Sequence, residues 1–415
     1  MKKVLFLPGG IGLAHVGRLI MIAKEMQNRG IMVEFGAGTQ AVSILQKENL
    51  PCYPLPEFER SVYERKIKNN NFFIYTRSVI KKFVLAELEL FNRVKPDVVV
   101  YDVRITAKIS TQIANIPCVS VLNADMTPYY DFSKVRFPVH TTLGKFLPNR
   151  FVSLLNKKFG QNFSKRVGTQ LIPALLTLEM IKFSPTLLRL GYRLSKDPYQ
   201  IVLADKTLIA DIPEFRPVKK LPDQVKLIGP IFWDGGSKLP GWSNKLLETD
   251  NIIYVTASGT GDNKTFLKIL DFLKDSPYTV VATTGNTLHP SDVKISYPNL
   301  FLTDFLPGSF ILPKSKLIIF PGGNATAYQA LSFGIPQVCT PFHMDQEDNA
   351  NQLERLKTGI IVSPYKNFTK KILQSAISKI LKDKHYSLNA IKLKKIIERY
   401  NGKKQAADEI FRMLN

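Results

Sequence analysis

Cysteine is scarce in this sequence, and its scarcity argues against two classes of protein. Only three cysteines occur among 415 residues, Cys52, Cys118 and Cys339. They are scattered, and no CxxC pair or Cys/His cluster accompanies them. A disulfide scaffold and a structural zinc site are therefore disfavoured, and we expect a cytoplasmic protein without a bound metal.

Signatures of several common chemistries are also missing. The chain has no GxxxxGK[ST] phosphate loop and no GxSxG nucleophile turn. A dinucleotide signature begins at Gly10 and Gly12, but His15 replaces its third glycine. An NAD-type site is therefore disfavoured, although Glu34 after the second apolar run would suit a ribose.

Long apolar runs are missing as well. Lys2 and Lys3 precede a short apolar run that briefly looks like a signal peptide, but Pro8 ends it too early. No window approaches the ~18 apolar residues of a membrane span. We therefore expect no membrane-spanning helix.

Acidic residues are too few to balance the basic ones. The chain has 57 Lys and Arg against 34 Asp and Glu, a formal net charge of +23. Residues 131–200 hold 12 basic and three acidic side chains, interspersed with apolar segments at 143–147, 151–155, 171–178 and 187–192. This mixture favours a peripheral position on an anionic membrane surface, such as the inner face of the cell membrane. The alternatives are a generally basic composition with apolar helix core, and nucleic acid, which lacks a recognisable binding motif here.

What the sequence does contain is a regular alternation of short apolar runs and helical segments. The runs lie at 4–7, 31–35, 98–101, 118–122, 252–256, 279–283, 300–302, 317–320 and 337–340. Such runs between helices predict parallel strands covered on both faces. We therefore predict an α/β protein of two doubly wound Rossmann-like lobes with a cleft between them. The predicted divisions are an N-terminal lobe at 1–230, a linker at 231–250, a C-terminal lobe at 251–395, and a final helix at 396–415 that packs back on the first lobe.

Three glycine-rich turns follow apolar runs, at 8–14, 257–262 and 321–326. Ligands of open α/β sheets bind outside the carboxyl ends of the strands. A helix that starts after such a turn offers free N–H groups to a phosphate. One such turn alone is weak evidence, because any α/β protein contains them.

A longer pattern follows the third turn. The segment FPGGNATAYQAL (320–331) leads into FGIP (333–336), then Pro341, then DQEDNA (345–350). This order and spacing resemble the donor-binding signature of UDP-dependent glycosyltransferases of the GT-B fold, a group that includes UDP-glucuronosyltransferases, UDP-glucosyltransferases and bacterial macrolide and lipid glycosyltransferases. The resemblance implies a nucleotide-sugar as co-substrate and no further cofactor.

The resemblance also implies which residues contact the donor. Thr326 and the turn N–H groups would contact the diphosphate, Gln329 the ribose, and Asp345 and Gln346 the sugar. The complete implied donor-binding set is Gly322, Gly323, Asn324, Ala325, Thr326, Gln329, Asp345 and Gln346, with Ser258 and Gly259 on the opposite turn.

The sequence departs from the family pattern at three positions. Pro321 replaces a phosphate-binding histidine, Gln329 a glutamate, and Gly308 a glutamine beside the base. Gly308 leaves the identity of the base open, so UDP remains the default nucleotide, with dTDP or another as the alternative. A loop such as 258–261 would partly compensate for Pro321.

Two residues of the first lobe complete the expected site. His15 follows the first glycine turn, and Asp102 ends the run 98–101. The resemblance implies that His15 is the general base on an acceptor hydroxyl and that Asp102 orients it, roles that suit an imidazole and a carboxylate. The alternatives are a structural histidine, and Asp102 as the N-cap of the helix that begins near Ile105.

The function favoured by these residues is a hexosyl transfer with inversion to a lipophilic small-molecule or lipid hydroxyl. No Asp-x-Asp pair supports a metal-bridged diphosphate, so we expect a metal-independent reaction. Two alternatives stay open: a nucleotide-sugar epimerase of the same fold, and a catalytically weak binding or partner subunit.

Overall fold

Strands of the N-terminal lobe form one parallel sheet of seven. The computed structural model describes residues 1–9, 12–59, 62, 66, 74–139, 141–142, 160, 162–235, 238–246, 249, 251–285, 287–365 and 368–414. The strands are β1 (Lys3–Pro8), β2 (Met32–Ala37), β3 (Cys52–Pro54), β4 (Val98–Asp102), β5 (Cys118–Leu122), β6 (Lys206–Ile209) and β7 (Val225–Leu227). They lie in the order β3-β2-β1-β4-β5-β6-β7.

Helices cover both faces of this sheet. They are α1 (Leu13–Gln27), α2 (Thr39–Lys47), α3 (Arg77–Val94), α4 (Ile105–Ala114) and α5 (Ile172–Arg189). Because of this cover, every residue of β4 and β5 is buried. Lys95 and Asn115, both left-handed, end α3 and α4 and turn the chain into the next strand.

The C-terminal lobe repeats this plan with six parallel strands. They are β8 (Ile252–Thr256), β9 (Thr279–Thr283), β10 (Leu300–Thr303), β11 (Ser315–Phe320), β12 (Gln337–Cys339) and β13 (Gly359–Ile361), in the order β10-β9-β8-β11-β12-β13. The main helices are α6 (Asn263–Phe272), α7 (Gly308–Ile311), α8 (Asn324–Ser332), α9 (Met344–Arg355), α10 (Lys370–Lys382) and α11 (Lys384–Ile397). The predicted α/β fold with two doubly wound lobes is confirmed.

Four of these strands were not predicted from the sequence. Of these, β3, β7 and β13 have only three residues each and β6 has four. Runs this short carry too little periodicity to be told from loops. The apolar segments at 143–147 and 151–155 lie outside the described residues.

The chain crosses between the lobes twice, at neighbouring places. The first crossing follows Gly229, and the second precedes the last helix, α12 (Gly402–Leu414). A Cβ added at Gly229 would come within 2.3 Å of Tyr400, and one at Gly402 within 2.8 Å of the Gly229 carbonyl oxygen. After the second crossing, Ala406, Ile410 and their neighbours on α12 pack into the core of the N-terminal lobe beside α1.

One helical stretch corrects an expectation. Asn162–Arg189 is 28 residues long, and its most apolar 18-residue window has a mean hydropathy of 1.4. By length and composition it meets the requirement for a membrane span, contrary to the prediction that no window does. Only 17% of that window is buried inside the protein.

Candidate active site

Each lobe brings its candidate residues to the point where its strand order reverses. In the N-terminal lobe this point lies between β1 and β4, and in the C-terminal lobe between β8 and β11. Pro8 at the end of β1 is the register partner of Asp102 at the end of β4. The turns at 257–262 and 321–326 follow β8 and β11. Ligands of doubly wound sheets bind at such switch points.

His15 and Asp102 are in direct contact. His15 lies on the first turn of α1, and its Nδ1 is 2.8 Å from Oδ1 of Asp102. The Asp102 side chain is fully buried, whereas that of His15 is 24% exposed. The helix that follows Asp102 is capped by Arg104, with no side-chain bond. The Asp102 carboxylate therefore faces His15, and its alternative role as a helix cap is wrong.

Arg18 holds this pair in place. Its Nε donates to Oδ2 of Asp102 at 2.9 Å and its Nη2 to Oδ1 at 3.0 Å. Arg18 and Asp102 are both buried. Nη2 of Arg18 also lies 3.1 Å from Nδ1 of His15. The Asp102 carboxylate is the closer partner and can only accept, so the favoured histidine tautomer carries its proton on Nδ1. Nε2 of His15 is then the nitrogen with a free lone pair.

Gly12 keeps space beside that nitrogen. It is the N-cap residue of α1. A Cβ added there would lie 3.0 Å from Cδ2 and 3.6 Å from Nε2 of His15. Residues 10 and 11 of this turn lie outside the described residues.

The two glycine turns of the C-terminal lobe face each other. The Ser258 and Thr326 hydroxyls lie 3.4 Å apart. Pro321, at the position of the family histidine, is buried against Gly261, where an added Cβ would come within 2.9 Å of its ring. Gly322 has a φ of +105°, and an added Cβ there would come within 2.6 Å of the Gln346 carbonyl oxygen.

Open space and unpaired polar atoms lie around these turns. An added Cβ at Gly259 or Gly323 would meet no atom within 4 Å. Gly323 is the N-cap of α8, and no side chain caps that end of the helix. Within the described part of the chain, the buried Oδ1 of Asn324 and Oγ1 of Thr284 have no hydrogen-bond partner. A polar ligand or an ordered water would supply the missing partners.

Asp345 and Gln346 differ in their availability. The Asp345 side chain is 43% exposed, and its Oδ1 lies 3.4 Å from Nη2 of Arg216. Gln346 is buried, its Nε2 donates to the Thr260 hydroxyl at 3.0 Å, and its Oε1 accepts from the Phe342 N–H at 2.9 Å. The role of Gln346 toward a sugar therefore stays a prediction.

Gln329 bonds to a residue that the sequence did not single out. Its Nε2 donates to Oδ1 of Asp234 at 2.7 Å, and the Ser309 N–H approaches the same oxygen at 3.4 Å. A Cβ added at Gly308 would strike the Gln329 amide at 2.3 Å. The glycine that replaces the family glutamine thus makes room for Gln329, and Asp234 provides a carboxylate beside it.

Arg216 joins the two sides of the cleft. It is fully buried and forms ion pairs with Asp125 and, at 3.6 Å, with Asp348. Its Nη2 donates to Oδ1 of Asn349 at 2.6 Å, and Asn349 donates to the Gly322 carbonyl at 3.0 Å.

Asp211 continues the connection on the other side. Its Oδ1 lies 3.8 Å from Nε of Arg216 and accepts from Asn123 at 3.1 Å. Asn123 in turn accepts from Arg18 at 3.0 Å. Hydrogen bonds and one 3.8 Å ion pair, between Asp211 and Arg216, therefore link His15 to the donor turn.

Burial sets the charges in this cluster. It raises the pKa of the Asp348 carboxyl to about 7, against the opposing effect of Arg216. It also raises the pKa of Asp125. Burial alone would lower the pKa of Arg216, but Asp125, Asp211 and Asp348 outweigh it and hold that pKa well above its usual value. Arg216 is therefore a permanent cation among several carboxyls.

Sequence reasoning missed the supporting residues of this site, which are Arg18, Asn123, Asp211, Arg216 and Asp234. The missed residues are common types in unremarkable contexts, and none belongs to the family pattern quoted above. Asn349 was present in that pattern but had no assigned role. Asp211 and Arg216 follow β6, a strand that the sequence did not predict, so no signal placed them at the cleft.

Known proteins are similar to this chain in sequence and in fold. A PGL/p-HBAD biosynthesis glycosyltransferase of Mycobacterium tuberculosis (strain ATCC 25177 / H37Ra) is 30% identical over 364 residues, which cover 87% of this chain and 81% of that protein. This chain belongs to the same family of glycosyltransferases. Residues 268–399 of the glycosyltransferase match the family described as Erythromycin biosynthesis protein CIII-like, C-terminal domain.

Solved glycosyltransferase structures share the fold of this chain over its whole length. Spinosyn forosaminyltransferase SpnP superposes with a TM-score of 0.71 at 16% identity, covering 100% of this chain and 99% of that one. Spinosyn rhamnosyltransferase SpnG complexed with thymidine diphosphate superposes with a TM-score of 0.68 at 16% identity, covering 100% of both chains. The predicted GT-B fold and glycosyltransferase activity are confirmed.

Proposed function

We propose that this glycosyltransferase moves a sugar from a nucleotide-sugar to a hydroxyl of a lipophilic small-molecule or lipid acceptor, with inversion and without a metal. The observation that carries the proposal is the 2.8 Å contact between His15 and the buried Asp102. This pair lies at the switch point of one lobe and is joined through Arg216 to the switch point of the other.

In the proposed reaction, Nε2 of His15 takes the proton of the acceptor hydroxyl. The acceptor oxygen attacks the anomeric carbon from the face opposite the leaving group, and the new C–O bond forms as the bond to the diphosphate oxygen breaks. The nucleoside diphosphate leaves with that electron pair. Asp102 and Arg18 fix the ring, and Asp102 stabilises the imidazolium that forms.

The donor side would stabilise the leaving diphosphate through backbone dipoles. Gly323 and Asn324 begin α8 with uncapped N–H groups, a favourable position for phosphate. The Thr326 and Ser258 hydroxyls lie beside it and supply donors that Pro321 cannot. The exposed Asp345 would bind sugar hydroxyls, and Asp234 with Gln329 the ribose. The nucleotide is UDP by default, with dTDP as the alternative.

The test combines donor binding with transfer. UDP, dTDP and other nucleoside diphosphates are compared by thermal shift, because a ligand of the folded state raises the melting temperature. Transfer from the matching nucleotide-sugar to a panel of phenolic and lipid alcohols is then measured. The anomeric configuration of the product is read by NMR, and the assay is repeated with EDTA. We expect an inverted product and a rate unaffected by EDTA.

His15→Ala tests the assignment of the base. A positioned general base contributes ~10²–10⁴-fold, so transfer should fall by that factor while the thermal shift with nucleotide is unchanged. The matched control is His385→Ala, because His385 also pairs with an aspartate at 2.8 Å but is 79% exposed. Full transfer by His15→Ala, or a product with retained configuration, would contradict the mechanism. Release of epimerised free sugar without acceptor would favour an epimerase instead.

A further inference from the structure

Helix α5 carries an apolar stripe on its outer surface. Leu171 is 49% exposed, Leu178 61%, Ile181 63% and Leu188 59%. Ala174 and Pro185, also exposed, fill the intervals, so exposed apolar residues recur at steps of three and four. Residues with this spacing lie on one face of a helix. A helix of a soluble domain normally turns such a face toward the core.

The opposite face of α5 is already packed in the lobe. Met180, Phe183 and Leu187 are buried in a cluster with Ile80 and Ile109. Crossing a bilayer would remove these side chains from the core of the lobe. The helix is therefore suited to lie on a membrane with its outer stripe inserted, and not to span it.

Charge selects the kind of surface that this stripe fits. Residues 162–196 contain one acidic side chain, Glu179, which pairs with Lys182 at 3.1 Å. The basic residues of the same segment, all exposed, are Lys165, Arg166, Lys182, Arg189, Arg193 and Lys196. A second copy of the chain would set the same positive charges against each other. An anionic lipid surface neutralises them while it covers the apolar stripe.

The N-terminal end of this helical stretch contacts the cleft. Gly168, in the π-helical turn Val167–Leu171, lies against Phe132, which an added Cβ would strike at 2.0 Å. The rings of Phe132 and Tyr130 are 4.8 Å apart, and the Tyr130 hydroxyl donates to Asp348 of α9 at 3.0 Å. The helical stretch that carries the stripe is thus connected to the donor lobe through Phe132 and Tyr130.

We propose that the outer stripe of α5 docks the enzyme on an anionic membrane, from which a lipophilic acceptor enters the N-terminal lobe. Docking follows from the stripe and its charges alone. The entry of the acceptor rests on the proposed function.

Vesicle sedimentation tests docking on the full-length protein. The probes are vesicles of phosphatidylcholine with phosphatidylglycerol at a 7:3 molar ratio, and vesicles of phosphatidylcholine alone, at low and high salt. Leu178→Gln/Ile181→Gln removes the centre of the stripe. Leu388→Gln/Ile391→Gln is the matched control, because these residues have the same spacing on α11 and are 53% and 43% exposed.

We expect binding to the anionic vesicles that weakens at high salt, and weaker binding to the neutral ones. Partitioning should fall about tenfold in the α5 variant and less than twofold in the control. Absence of binding by the unaltered protein at low salt, or equal binding by the α5 variant, would overturn the proposal. Thermal shift with UDP or dTDP in both variants shows that folding and donor binding are intact. Absence of docking by the unaltered protein, with its transfer to a soluble acceptor intact, would therefore contradict this inference and leave the proposed function standing.

Discussion

The two sides of the cleft differ in which atoms form the site, side chains on one and backbone on the other. On the acceptor side, the site is formed by side chains. His15, Asp102, Arg18 and Asn123 are held by mutual hydrogen bonds. On the donor side, the backbone of two glycine turns encloses open space, with the uncapped start of α8 at its edge. A base must be held in one orientation before it reacts, whereas a diphosphate needs N–H groups and room.

This difference predicts separable defects. Changes on the acceptor side should reduce the rate of transfer and leave nucleotide binding intact. Changes on the donor side should reduce nucleotide binding first. Arg216 bonds to both sides, so its loss should reduce both the rate of transfer and nucleotide binding.

The largest effect is expected for Arg216→Met. This change leaves the carboxylates of Asp125, Asp211 and Asp348 without their buried counter-ion. Removing one partner of a buried ion pair costs about 3–5 kcal/mol, measured as the free energy of unfolding in urea. Adding Asp348→Asn and Asp125→Asn should recover part of the loss. A decrease below about 1 kcal/mol would show that the two sides are not joined through this residue.

Arg18→Met sharpens the comparison from the acceptor side. Arg18 is a positioning residue that bonds both carboxylate oxygens of Asp102. Charged hydrogen bonds of this kind are worth ~1.5–3 kcal/mol, so we expect kcat to fall by about 10- to 100-fold. KM for the donor and the thermal shift with nucleotide should be unchanged. Arg18→Lys should recover part of kcat. An equal loss of donor binding would mean that the two sides are not separable.

Gly322→Ala tests the donor side. The new Cβ would need a φ of +105° and would approach the Gln346 carbonyl oxygen at 2.6 Å. Strain of this kind costs ~1–3 kcal/mol, so nucleotide affinity should fall by about tenfold or more, measured by calorimetry. Gly241→Ala in the linker is the control, because its Cβ would meet no atom within 4 Å and it lies outside the proposed site. Unchanged affinity in Gly322→Ala would remove the turn from the site.

The smallest expected effect is a pH dependence of the folding stability, caused by the carboxyls around Arg216. Burial raises the pKa of Asp348 to about 7 from 3.8. The folded state therefore takes up a proton at higher pH than the unfolded state, and Asp348 makes folding more favourable as the pH falls from about 7 toward 4.

Asp348→Asn should abolish this contribution. Relative to the unaltered protein, the variant should be more stable at pH 8 than at pH 5. Urea unfolding at several pH values measures it. The remaining slope includes Glu57, whose pKa burial also raises to about 7 and which is common to both proteins. A constant difference across this range would contradict the assignment.

Sequence alone predicted the parts of this molecule that are encoded locally. The glycine turns follow buried strands, and the pairing of His15 with Asp102 follows because β1 and β4 are neighbours whose carboxyl ends share one edge. The junction around Arg216 was not predictable. It combines residues from 125 to 349, and nothing in the sequence marks Arg216, among 57 basic residues, as one that is buried. Membrane spans were misjudged for a related reason, because isolated charges interrupt the apolar count without making a helix polar.

The paired crossings beside Gly229 and Gly402 determine how the lobes can move. Because the two tethers lie side by side, we expect the lobes to move mainly by rotation about an axis through them. Closure would therefore carry α8 and α9 toward His15 along a fixed arc, and a donor bound in the open state would arrive with its anomeric carbon in register. Cutting either tether should free the other motions and lose that register, even with every residue of the site intact.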